Sequence, residues 1–150
     1  MIRHGLKVVA AAAVLGVAGC GGGDDSNKTL SYSDFSNQAN EICKSSNEKS
    51  AGAKLTNDLQ ADAKVLDEQI PNVESALADF KKLNPPDELK PDFDRFLSVS
   101  DQQLANAKKA RDAAKAGDKA GFVAALKATA PLQAQSHEAG SKLGAAECAK

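Results

Sequence analysis

The chain has 150 residues, a formal net charge of −1, 26% charged and 42% hydrophobic residues. That size suits one domain plus short extras, and the absence of a basic excess argues against a nucleic-acid binder. Aromatic residues are only 4%, with no Trp and one Tyr, so a core must come from aliphatic residues, alanine and five Phe. Abundant alanine favours helices that approach closely.

The N-terminal stretch is read first as an address. Arg3 and Lys7 make a positive start, and residues 8–17 are apolar but too few to span a bilayer, which takes about 20. The run ends in Val17-Ala18-Gly19-Cys20 and passes into Gly21-Gly22-Gly23. This pattern of charge, short apolar run, small residues and cysteine resembles the lipobox of bacterial lipoproteins. The resemblance implies a signal peptide over residues 1–19, cleavage before Cys20 and acylation of its thiol and amine. Residues 20–29, in which Gly21-Gly22-Gly23 leads into Asp24-Asp25-Ser26-Asn27-Lys28 with no apolar residue to bury, then read as a tether with an r.m.s. reach of roughly 17 Å. Two or three acyl chains, at about 0.8 kcal/mol per buried CH₂, make a firm anchor.

The expected domain covers residues 30–150. Ser31-x-x-Asp34 fits a capping box, and Leu30 with Phe35 fits a hydrophobic staple. A first helix is expected from residue 32 to the low fifties, with Phe35, Ala39 and Ile42 on one face, fraying at Ala51-Gly52. A second, capped by Thr56 or Asn57, carries Leu59, Ala63, Leu66, Ile70, Val73, Leu77 and Phe80 at alternating spacings of four and three. Pro71 predicts a kink or break near residues 69–70, and Asn84-Pro85-Pro86 a stop. A third helix begins between residues 87 and 92, with Phe93, Phe96, Leu97, Leu104 and Ala107 buried. Gly117 ends it and Asp118 caps a fourth, placing the two antiparallel. The fourth holds Phe122, Ala125, Leu126, Thr129, Leu132 and Leu143, with Pro131 inside. The expected architecture is all-α: an up-and-down bundle of four helices, or five if Pro71 breaks the second.

With Cys20 lipidated, Cys43 and Cys148 remain as an even pair, and outside the cytoplasm a disulfide between them is expected. It would staple helix 1 to the C-terminus; two free thiols or an intermolecular bond are the alternatives. Their separation rules out a catalytic C-x-x-C.

Other constellations carry little chemistry. Beyond the leader only His137 remains, and Met1 is the single methionine, so neither metal nor haem ligation finds a ligand set. Asp87, Glu88, Asp92 and Asp94 suggest either a calcium or paired-carboxylate site or acids drawn to a helix N-terminus. Leu97 stands where an EF-hand counted from Asp92 needs glycine. Lys108, Arg111, Lys115 and Lys119, with Lys109 beside them, form a basic stripe. It suits anionic lipid or cell-wall polymer, or the negative end of a helix dipole. There is no G-x-S-x-G, P-loop or G-x-G-x-x-G, and Ser136 beside His137 on one helix points elsewhere.

Across the body, "NEICKSSN" at 40–47, "LNPPDEL" at 83–89, "AGD" at 116–118 and "ECA" at 147–149 are similar to small alanine-rich lipoproteins of actinobacterial type, a resemblance that implies no activity. The expected function is a non-enzymatic, lipid-anchored binding or scaffolding module of the cell envelope, with no cofactor and an envelope protein or polymer as partner. The alternative is a carrier of a small apolar or anionic ligand within the bundle. An enzyme is the third reading; a cavity of roughly several hundred cubic ångströms lined by convergent polar groups would favour the carrier or the enzyme, a filled core the interaction module.

Overall fold

The computed structural model describes residues 28–56 and 58–150. Cys20, the lipobox and most of the tether lie outside the described residues. Four helices, α1 (Tyr32–Ser50), α2 (Leu59–Phe80), α3 (Lys90–Lys115) and α4 (Lys119–Lys142), form an all-α bundle, with no strand among the described residues. Short 3-10 helices at Asp87–Leu89 and Ala146–Ala149 precede α3 and end the chain.

The helix starts follow local chemistry. The Ser31 hydroxyl accepts from the Asp34 amide at 3.1 Å, which relieves one of the orphan donors of the first turn of α1. Leu30 and Phe35 sit in one apolar cluster, as a staple requires. For α2 the cap is Asp58 rather than Thr56 or Asn57; its carboxylate accepts from the amides of Gln60 and Ala61 at 2.9 and 3.0 Å. Thr56 is occupied otherwise. Its amide donates to the wholly buried Asp62 carboxylate at 2.7 Å, which ties the α1–α2 loop to α2. Gly117, at φ 72°, closes α3, and the Asp118 carboxylate accepts from Gly121 N at 2.9 Å to open α4.

Pro71 does not break α2, so the bundle has four long helices and not five. Proline removes the amide that would bond the Asp67 carbonyl, but both residues are exposed and water can solvate the freed group. Pro131 is likewise exposed and sits within an unbroken α4. The Pro85-Pro86 stop acts late: α2 already ends at Phe80, and Lys81-Lys82 turn the chain away.

Neighbouring helices run antiparallel. Asp67 and Glu74 on α2 face Lys115 and Lys108 on α3, while Asp92 at the start of α3 faces Lys142 at the end of α4. The core has two ends of different character. At one, Phe35, Phe80, Phe93, Phe96, Leu89 and Leu143 gather, with Phe35 edge-on to Phe93 at 5.4 Å between centroids. At the other, Ala63, Ala110, Ala114 and Ala125 close around Phe122, so α2, α3 and α4 approach on small side chains. Ile70, Leu77 and Leu104 join the two ends. On α3 the buried face extends to Val99, Ala110 and Ala114, further than the sequence reading placed it, whereas Leu97 and Ala107 are only partly buried.

The alanine end has no room to spare, since Ala114 is fully buried at the crossing. Ala114→Leu should therefore cost about 1–3 kcal/mol by overpacking, and Ala105→Leu, on the exposed side of α3, close to nothing. Denaturant melts of the two variants test this.

Candidate functional site

The C-terminal tail is where distant parts of the chain converge. Cys43 on α1 and Cys148 in the last 3-10 helix form a disulfide, S–S 2.08 Å, across 105 residues of sequence. Around it α1 holds the tail with a row of polar side chains. The Ser36 hydroxyl donates to the Leu143 carbonyl at 3.0 Å, and the Asn40 Oδ1 accepts from the Glu147 backbone amide at 2.9 Å. One turn past Cys43, Asn47 donates to the Glu147 carbonyl at 2.9 Å. Positions 36, 40, 43 and 47 repeat four and three apart, so all four fall on one face of α1. Cys43 alone of this row stands out in the sequence; Ser36, Asn40 and Asn47 do not. The signal was present as a polar stripe in register with the cysteine.

Two glycines let the tail lie this close. At Gly144, φ 68° is a left-handed conformation, and an added Cβ would come within 2.8 Å of the Ser36 hydroxyl. At Gly140 an added Cβ would meet Cys148 at 3.0 Å.

Beside the disulfide lies a partly open cleft of about 190 Å³. Val73, Leu77 and Phe80 of α2 and Phe96 of α3 form its apolar wall. Ser46 of α1, Ser100 and Gln103 of α3 and Ser136 of α4 add neutral polar groups. The tail contributes Glu147, Cys148 and Lys150, and the Lys150 ammonium is paired with the Glu147 carboxylate.

The basic stripe is differently placed. Lys108 pairs with Glu74 at 2.6 Å and Lys115 with Asp67 at 2.8 Å, both across to α2. Arg111 lies between them, 2.7 Å from Asp112 and 3.8 Å from Asp67. The structure thus brings the first three cations together on α3 and sets acids of α2 against them. Lys119 stands apart at the exposed start of α4, without an ion pair among the described residues.

The acidic group at the α3 entrance does not converge either. Lys90 donates to Asp87 at 2.6 Å and holds its carboxyl below the ordinary range by that hydrogen bond and its charge. Asp92 instead faces Lys142 at 3.8 Å, and Asp94 is exposed. Among the described residues no three His, Cys, Asp or Glu lie close enough to hold a metal ion. His137 is exposed on α4. No described helix is long and apolar enough to cross a membrane.

No family model, curated protein or solved structure matches this chain.

Two outcomes follow from this geometry. Replacing Cys43 and Cys148 by Ser should lower stability by about 2–4 kcal/mol, seen as a lower melting temperature than the oxidised protein shows. Glu138 is held below its ordinary pKa by the hydrogen bond from Lys142, then by the charges of Lys142 and Arg95. A depressed carboxylate stabilises the fold above its unfolded pKa, and that contribution goes as pH falls through the folded value. Glu138→Gln should remove a small, salt-screened part of the acid destabilisation measured between neutral pH and the carboxylate range.

Proposed function

We propose that this chain is a lipid-anchored, extracytoplasmic protein, a non-enzymatic binding module of the cell envelope built on a helical bundle. The observation that carries the reading is Val17-Ala18-Gly19-Cys20, followed at once by three glycines. The Cys43–Cys148 disulfide supports it, because such bonds persist outside the reducing cytoplasm.

The bundle suits presentation from a membrane. Thr29 accepts from the Asn84 side chain at 3.4 Å and Leu30 donates its amide to the Asn84 carbonyl at 2.9 Å, beside the end of α2 and the start of α3. A chain anchored at Cys20 therefore enters at that end of the bundle. The α3–α4 turn around Gly117 lies at the other end, about 39 Å away along the 26 residues of α3. A bundle so held offers its long helical faces and its far turn to partners, which fits a protein or polymer of the envelope. The basic stripe contributes less to such contacts than its sequence suggests, since acids of α2 offset Lys108, Arg111 and Lys115.

Cys20→Ala tests the reading. The variant should stay uncut at this site, carry no acyl chain by mass spectrometry, and leave the detergent-extractable lipoprotein fraction. Normal cleavage with membrane retention of an unacylated chain would overturn it.

A further inference from the structure

We propose that the cleft beside the Cys43–Cys148 disulfide is a binding site for a small uncharged amphiphile, one with a ring-sized apolar body and a neutral hydrogen-bonding group. This goes beyond contact with an envelope protein or polymer, and rests on the proposed function only for where the ligand is met.

Size limits the apolar body. A volume of about 190 Å³ falls below the range of drug-sized pockets, yet an apolar cavity of about 150 Å³ is enough to take benzene. The wall is of matching kind: Val73, Leu77, Phe80 and Phe96 present branched and aromatic surface on adjacent antiparallel helices.

Polarity sets the rest of the ligand. Ser46, Ser100, Gln103 and Ser136 line the same cleft from three helices. Among the described residues none of these four side chains makes a hydrogen bond to another group. Hydroxyls and amides both donate and accept, so four of them can serve an alcohol, phenol or amide in either sense. Polar side chains facing a cavity with no internal partner are satisfied by water or by a ligand that replaces it.

Charge excludes the ionic alternatives. The charged groups that line the cleft, Glu147 and Lys150, are paired with one another. A carboxylate or ammonium entering the cleft loses hydration and meets no free counter-charge, which is costly. The ligand class thereby differs from the apolar or anionic cargo of the alternative carrier reading.

The cleft is also pre-formed. All four helices and the tail contribute to it, and the disulfide with the Ser36, Asn40 and Asn47 hydrogen bonds keeps the tail in place. A wall that does not have to be ordered on binding spares the ligand that entropic cost.

The test is titration of the full chain, with its disulfide formed, by benzyl alcohol, benzoate and benzylamine, following the methyl NMR signals of Val73 and Leu77. The expected result is a saturable shift with benzyl alcohol and at least about tenfold weaker binding of the two charged analogues, the loss of one decade in affinity. Ala76→Phe, which places a ring in the cleft, should abolish the shift, while Ala105→Phe on the exposed side of α3 should leave it. Should Ala76→Phe fail to fold, Ser100→Ala/Gln103→Ala takes its place and should weaken the binding of benzyl alcohol; a folded double variant that binds it undiminished would overturn the proposal. No saturable shift, equal affinity for benzoate or benzylamine, or undiminished binding in a folded Ala76→Phe protein would each overturn the proposal. The outcome at Cys20 is read separately, so a failed anchor leaves this result standing and a failed ligand leaves the anchor.

Discussion

The position of α1 depends on the covalent and polar clasp between its middle and the C-terminal tail. Its apolar contribution is small, chiefly Phe35, Ala39 and Ile42, and those reach only one end of the bundle. A helix with so narrow a buried stripe gains little from the hydrophobic effect alone. The Cys43–Cys148 bond, with Ser36, Asn40 and Asn47 on either side, adds attachment that does not depend on apolar area. Crosslinking residues this far apart also removes many conformations from the unfolded chain. The same clasp sets the tail against α1 and so completes one wall of the cleft.

The opposite end of the molecule is held by another principle. There α2, α3 and α4 meet on alanines around Phe122, so stability comes from close packing of small side chains over a large contact length. Along the outside of the α2–α3 pair, Asp67 and Glu74 meet Lys115, Arg111 and Lys108 in antiparallel order. These pairs are half exposed, and each is worth little alone; together they favour one register of the two helices over a slipped one. What reads as a basic stripe in the chain is, in three dimensions, half of a charge-matched seam.

Much of the fold was legible because it is written at short range. Ser31 and Asp34, Gly117 and Asp118, and the heptad from Leu59 to Phe80 act within a turn or two of their own helices. Misreadings arose where longer-range context decided. Pro71 is a helix breaker by local rule, yet it sits on the wet side of α2, where the lost bond is made up by solvent and the helix is held by its buried face. Asp58 took the cap because the buried Asp62 carboxylate had already claimed Thr56. Of the cleft, only Cys43, Cys148 and the helical phases of Val73, Leu77, Phe80 and Phe96 were visible beforehand. Ser100 and Gln103 stand three apart on α3, but Ser46 and Ser136 lie on α1 and α4, so nothing local marks the four as neighbours.

By itself the sequence determined the helical class and the starts of α1 and α4, since each follows from spacing or from a cap read along one stretch, and it made a Cys43–Cys148 bond the expected pairing without excluding free thiols. The tertiary structure alone decided which charges face each other, that α2 runs through Pro71, and that neutral polar groups of three helices meet an apolar wall beside the disulfide. Those are relations between faces of different helices. They depend on crossing geometry and register, which arise only when the whole chain has buried its core.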